Sequence, residues 1–163
     1  MASTTTTQSS TCRIIKAPHP PAIVGKAVFL AGSIEMGKAV DWQAALTNKL
    51  SHLPITVLNP RREDWGGDWV QDMANEKFRE QVQWELDCQD TADIIAMFFH
   101  PDTKAPISLL ELGLYAASKK MVVCCPPGFY RRGNVQMVCH KFDIELVDTL
   151  DQLAEGVIRK LAV

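Results

Sequence analysis

The chain has 163 residues, 47% of them hydrophobic, with 17 Lys and Arg against 19 Asp and Glu for a net charge of -2. That is enough for one domain with a buried core, and it supplies no basic stripe of the kind a nucleic-acid polymer requires. No apolar run approaches the ~20 residues of a membrane span. Five cysteines, Cys12, Cys88, Cys124, Cys125 and Cys139, make an odd number without C-x-x-C spacing, as expected of reduced thiols in a cytoplasmic protein. Adjacent Cys124 and Cys125 end an apolar strand and point to opposite faces, so they cannot hold one metal together. Cys139-His140 reads as a thiol beside a surface imidazole, and neither metal nor organic cofactor is expected.

Residues 1–25 read as a disordered tail, Ser/Thr-rich at first and ending in Pro18, Pro20 and Pro21. It lacks both the basic and the apolar regions of a secretory signal. The domain is expected over 26–163. KAVFLAG (26–32) is a short apolar run closed by a glycine, the pattern of a buried parallel strand. A helix is expected over 39–51, then a strand at 55–59 stopped by Pro60. A charged, tryptophan-bearing loop follows at 61–72. Residues 71–91 lack proline and glycine and place Phe78, Val82 and Leu86 at helical spacing. IIAMFF (94–99) is a third strand, followed by a loop at 100–106 and a helix at 107–119. MVVCC (121–125) is a fourth strand. A short helix at 134–140, a weak fifth strand in FDIELV (142–147) and a C-terminal helix capped by Thr149 or Asp148 complete the pattern. Strict β-α alternation predicts an α/β three-layer sandwich, flavodoxin-like or Rossmann-like, with a five-stranded parallel sheet of order 2-1-3-4-5.

Four places could carry chemistry. Gly32 and Ser33, with Gly37, follow the first strand, where glycines let backbone amides approach a sugar or phosphate; an ordinary β-α turn explains them as well. The spacing is neither G-x-G-x-x-G nor a Walker A loop. Glu111 stands among Leu109, Leu110, Leu112 and Leu114 in the helix leaving the third strand, where open α/β sheets hold their ligands. Its alternatives are a solvated helix residue or a structural ion pair. Glu85 lies in the helix that feeds the same strand and meets Glu111 only if that helix overhangs the sheet's carboxyl edge. Paired carboxylates are what glycosyl transfer uses. Asp64 and Trp65, in RREDWGGDW, offer an acid and an indole to a planar base, although tryptophans also pin plain surface loops. Finally, GFYRRGNV (128–135) brings Tyr130 and Asn134 to the end of the fourth strand, or forms a simple crossover.

Taken in order, VFLAGSI, NPRREDW, QVQWELDCQDTADII, PISLLELGLYA and PPGFYRRGNV resemble the nucleoside 2-deoxyribosyltransferase superfamily, in its 2-deoxyribosyltransferase-like branch, over about residues 26–147. The resemblance implies that Glu111 is a nucleophile attacking the anomeric carbon of a 2′-deoxynucleoside, and that Glu85 is its carboxylate partner, one methylene longer than the Asp of better-known members. It implies Gly32 and Ser33 near the sugar or its 5′ group, a nucleoside and a free base as partners, and a homo-oligomer in which Asn134 comes from the same or an adjacent subunit. Ala105 stands where better-known transferases carry a base-contacting Asp, which leaves Asp102 as the nearest candidate. Related nucleotide N-hydrolases carry G-S-I-R at the first turn. Here Glu35 replaces that arginine and disfavours a 5′-phosphate unless Arg61 or Arg62 substitutes. A 5′-monophosphate N-glycoside hydrolase and a non-catalytic nucleotide-sensing module are the alternatives. A flavin-binding protein is disfavoured by the missing phosphate turn.

Overall fold

The computed structural model describes residues 11–35, 40–64 and 68–162. Six strands form one parallel sheet: β1 (Arg13–Lys16), β2 (Lys26–Gly32), β3 (Ile55–Asn59), β4 (Ile94–Phe98), β5 (Met121–Cys124) and β6 (Glu145–Val147), in the order β1-β3-β2-β4-β5-β6. The helices are α1 (Trp42–Leu50), α2 (Glu76–Thr91), α3 (Pro106–Tyr115, continued by a 3-10 turn at Ala116–Ser118), α4 (Arg132–Phe142) and α5 (Leu150–Leu161). The five expected strands keep their expected order. The sheet nevertheless has six, because Arg13–Lys16, assigned to the tail, pairs with β3 in register Arg13 to Thr56 through Lys16 to Asn59. Four residues with one buried side chain, Ile15, are too short for any periodicity to show. The segment after β1 is tied down as well. The Ala17 N–H donates to the Asn59 carbonyl at 3.1 Å, and Trp84 Nε1 donates to the His19 carbonyl at 2.8 Å.

Alternation along the strands builds two cores, one on each face. Phe29, Ala31, Ile95, Met97, Val123 and Cys125 face α2, α3 and α4 through Trp84, Cys88, Leu112, Tyr115, Val135 and Cys139. Val28, Leu30, Val57, Ala96, Phe98 and Cys124 face α1 and α5 through Trp42, Leu46, Leu50, Leu153 and Val157. Each fully buried leucine contributes about 1.5–3 kcal/mol over leaving it exposed. Cys124 and Cys125 fall in opposite cores, as their adjacency required, and all five cysteines are free. Among the described residues no helix is long and apolar enough to cross a membrane.

Local chemistry sets the helix ends. The Asn75 side chain accepts from the Phe78 N–H, so α2 begins at Glu76 rather than near 71. Pro106 opens α3, where its missing N–H costs nothing. Helix α4 runs to Phe142 and ends with Asp143 at φ 55°, which shortens β6 to three residues. Thr149 and Gln152 form a capping box on α5.

From β2 the chain moves outward to β3 and then returns past β2 to β4, so the crevice outside the carboxyl ends of β2 and β4 is the switch point of the sheet. The two strands approach closely there. Gly32 pairs with Phe98 at φ +140°, and a Cβ built on it would lie 2.2 Å from the Phe98 carbonyl oxygen. Glycine is required both for this backbone angle and for this contact. Gly32→Ala is therefore expected to lose on the order of 3 kcal/mol or more, read as a lower urea midpoint at unchanged slope. Stability equal to the parent's would mean that the strand ends can part freely.

Candidate active site

The switch point carries a buried polar lattice. The Ser33 N–H donates to the Phe98 carbonyl at 3.0 Å, and Trp42 Nε1 donates to the Ser33 carbonyl at 2.9 Å. The His100 N–H donates to Ser33 Oγ at 3.0 Å, and Thr103 Oγ1 donates to the His100 carbonyl at 2.9 Å. Thr103 has a single hydroxyl proton, so the 2.7 Å contact between Ser33 Oγ and Thr103 Oγ1 is donated by Ser33. Ser33 thus spends its N–H and hydroxyl on the end of β4 and the loop that leads into α3, and its carbonyl on Trp42 of α1. With Gly32 it forms the floor of the crevice.

Glu35 acts on the same loop from above. Its Oε1 accepts from the Lys104 and Ala105 N–H groups, each at 3.0 Å. Ala105 has φ 44° and no side-chain cap of its own, so the Glu35 carboxylate serves the start of α3, where the helix dipole favours negative charge. Asp102 is largely exposed, and its N–H donates to His100 Nδ1 at 3.1 Å.

The two glutamates do come together. Helix α2 passes its middle against α3, and Gln89 Nε2 donates both to Glu111 Oε1 at 3.3 Å and to the Glu85 main-chain carbonyl at 3.2 Å. Gln81, one turn before Glu85, donates from Nε2 to Glu85 Oε1 at 2.8 Å and to the Pro60 carbonyl at 3.0 Å. Glu111 is only 9% exposed. Burial, and then the like charge of Glu85, push its carboxyl up to about 8; burial pushes Glu85 up to about 7, partly offset by the Gln81 hydrogen bond. Glu85 is half-buried and Glu111 buried, and each binds its proton more tightly than an exposed carboxyl. The second oxygen of each has no hydrogen bond among the described residues.

Asp64 is placed differently from an acid waiting for a base. It receives both Nε and Nη2 of Arg62 at 2.9 Å, which holds its carboxyl below the usual range. The Arg62 guanidinium lies under the Trp69 ring at 4.9 Å and reaches Gln81 Oε1 from Nη1 at 3.3 Å. A chain of contacts therefore runs from Asp64 through Arg62 and Gln81 to Glu85. Trp65 lies outside the described residues. Asn134 stands on α4 beside a groove of about 320 Å³ lined with Leu109, Leu112, Gly113 and Val138. Neither Glu85 nor Glu111 lines that groove. The sequence offered Arg62 only as a possible phosphate partner, and gave no role to Gln81 or Gln89. The two glutamines had a signal, since each lies four residues from Glu85 on one face of α2.

A family model described as nucleoside 2-deoxyribosyltransferase like matches residues 25–129, well over half of the chain, from the start of β2 through the loop after β5. The chain belongs to this family. The match spans Gly32, Glu85 and Glu111 together, and it supports a glycosyl-transfer or related function in general. No curated protein matches the chain.

Buried carboxyls of this kind oppose folding at higher pH. Both have folded values above the ordinary 4.5, so between about 4.5 and about 8 the folded chain binds more protons than the unfolded one. Stability contributed by the neutral forms is complete at the acid end of that window and is lost as pH rises through it. Glu111→Gln and Glu85→Gln are accordingly expected to raise the melting temperature at pH 8 by at least ~3 °C and to change it little at pH 5. Scanning fluorimetry at both pH values checks this, and equal shifts at the two would contradict it.

Proposed function

We propose that the protein cleaves or transfers the N-glycosidic bond of 2′-deoxynucleosides, with Glu111 as nucleophile. The observation that carries this reading is the pair of raised carboxyls, Glu85 on α2 and Glu111 on α3, joined through the Gln89 amide. The proton is held more tightly by Glu111 than by Glu85, so Glu111 first passes it to Glu85 and, once ionised, attacks the anomeric carbon through an oxocarbenium-like transition state. The bond to the base breaks with its electron pair, and the departing base takes a proton from the carboxyl of Glu85. The glycosyl ester on Glu111 is then opened by a second base, which gives transfer, or by water, which gives hydrolysis. Gly32 and Ser33 form the floor under the sugar, while Asp64, Trp65 and Asp102 are the candidates near the base.

Glu35 favours a nucleoside over a 5′-monophosphate. Its carboxylate already accepts from the two N–H groups at the start of α3 that a phosphate would seek, and Arg62 is committed to Asp64. The 5′-monophosphate hydrolase is the second reading, told apart by its need for the phosphate. A non-catalytic sensing module would show ligand-induced stabilisation without base release. We further propose a cytoplasmic homo-oligomer. Ile107, Leu110 and Leu114 leave one apolar face of α3 exposed, and a second copy covering it would meet the flank that carries Asn134. Light scattering is expected to give at least twice the 18.1 kDa chain mass, and Leu110→Glu to lower it.

The deciding experiment is chromatography of the protein with deoxynucleosides and their 5′-monophosphates, each with and without free adenine or cytosine. A new deoxynucleoside formed only when a base is added establishes transfer, and free base without transfer establishes hydrolysis. Glu111→Ala is expected to lose more than ~10²-fold in kcat/KM while remaining folded. Full turnover by that variant would remove Glu111 from the mechanism.

A further inference from the structure

Gln89 is fully buried, yet its Oε1 is the one buried side-chain polar atom among the described residues with no hydrogen-bond partner. An uncompensated buried acceptor is costly, so something must fix the amide in this orientation. The Glu85 main-chain carbonyl does so. It can only accept, and at 3.2 Å from the amide nitrogen it forbids the rotation that would exchange nitrogen and oxygen. The same nitrogen then faces Glu111 Oε1 at 3.3 Å. A purely structural residue at this place would be better apolar, or bonded at both ends. Gln81 is bonded at both ends: its oxygen accepts from Arg62, and its nitrogen donates to Glu85 and to the Pro60 carbonyl.

We propose that Gln89 is a positioning residue for Glu111, its amide locked by the Glu85 carbonyl so that a hydrogen-bond donor always faces the nucleophile and holds it in place. The proposal rests on Glu111 being the nucleophile only for its catalytic meaning; the donor relationship itself is tested without any substrate. The titratable groups facing Glu111 are Glu85 from α2 and Tyr115 from α3 itself, and Glu85 has its own donor in Gln81. Removing the Gln89 amide therefore acts on Glu111 first.

The test is carboxyl-carbon NMR of glutamate-labelled full-length protein, with Glu85→Gln used to tell the two buried carboxyls apart. In Gln89→Met, similar in length but without a donor, the Glu111 midpoint is expected to rise by about one pH unit or more. Gln89→Leu also removes the donor without adding a charge and is expected to shift the midpoint in the same direction. In the unaltered protein the Gln89 side-chain amide resonances are expected to move in step with the Glu111 titration, and to lose that step in Glu111→Gln. This arm holds even if both Gln89 variants fail to fold. An unchanged Glu111 midpoint in a folded variant, or amide resonances indifferent to Glu111, would overturn the proposal. Where turnover is measurable, the acid limb of the kcat/KM profile is expected to follow the same shift in Gln89→Met, which a loss of packing alone would not produce. If turnover is absent but the NMR shifts appear, the nucleoside reading fails while the positioning of Glu111 stands.

Discussion

Two carboxyl groups withdrawn from bulk water impose the main constraint on this molecule. Each would ionise freely in solvent. Here burial raises both, and the charge of Glu85 raises Glu111 further, so the fold must support a charge that it does not fully solvate. The support is local and comes from α2. Gln81 and Gln89, one turn to either side of Glu85, each deliver an amide N–H to one carboxyl. Helix α2 in turn is fixed by ties outside itself: Trp84 bonds the segment after β1, and Gln81 bonds the end of β3 and Arg62. The extra edge strand therefore contributes to the site, because the chain leaving it pins the helix that carries Glu85.

Much of this was legible before any coordinates. Apolar runs closed by turn residues gave five strands in the right order, and the alternation of Cys124 and Cys125 correctly assigned them to opposite cores. Glu111 stood out because a carboxylate among leucines in the first turns of α3 is costly. What could not be read has a common cause. Strand β1 buries only Ile15 and draws its stability from pairing with β3, a contact between residues over forty positions apart that leaves no periodic mark. The start of α2 was set by an Asn75 side chain that counts for little in a pattern of apolar residues. Arg62 resembled any surface arginine until its guanidinium was found between Asp64, Trp69 and Gln81.

The loop between β4 and α3 shows how one acidic residue acquires a role from its surroundings. As a letter in the first turn, Glu35 simply lacks the positive charge that would meet a phosphate. In the fold it goes further and fills the place, since its carboxylate takes the two N–H groups that open α3. A ligand phosphate would have to displace an anion already held by two hydrogen bonds and a helix dipole. Ser33 holds the same loop through the Thr103 hydroxyl and the His100 N–H, so the backbone that presents α3 is tied at both ends of the loop.

The orientation of α3 matters because Glu111 is its sixth residue, about one and a half turns from the start. A shift at Ala105 would carry the carboxylate with it, and the reaction proposed above would lose rate steeply if its attacking atom moved by an ångström. The residues that define that start, Glu35, Ser33 and Thr103, touch neither carboxylate among the described contacts, yet they set where one of them points. Helix α2 sets the other. The site is thus built where two independently fixed helices converge, and Gln89 joins them: its main chain belongs to α2, while its amide reaches the Glu111 carboxylate on α3. An exchange at that residue disturbs the geometry of the pair without altering either acid. The hydrogen bonds that orient the two carboxyls also oppose the burial that raises them, so position and proton affinity are set together by Gln81 and Gln89.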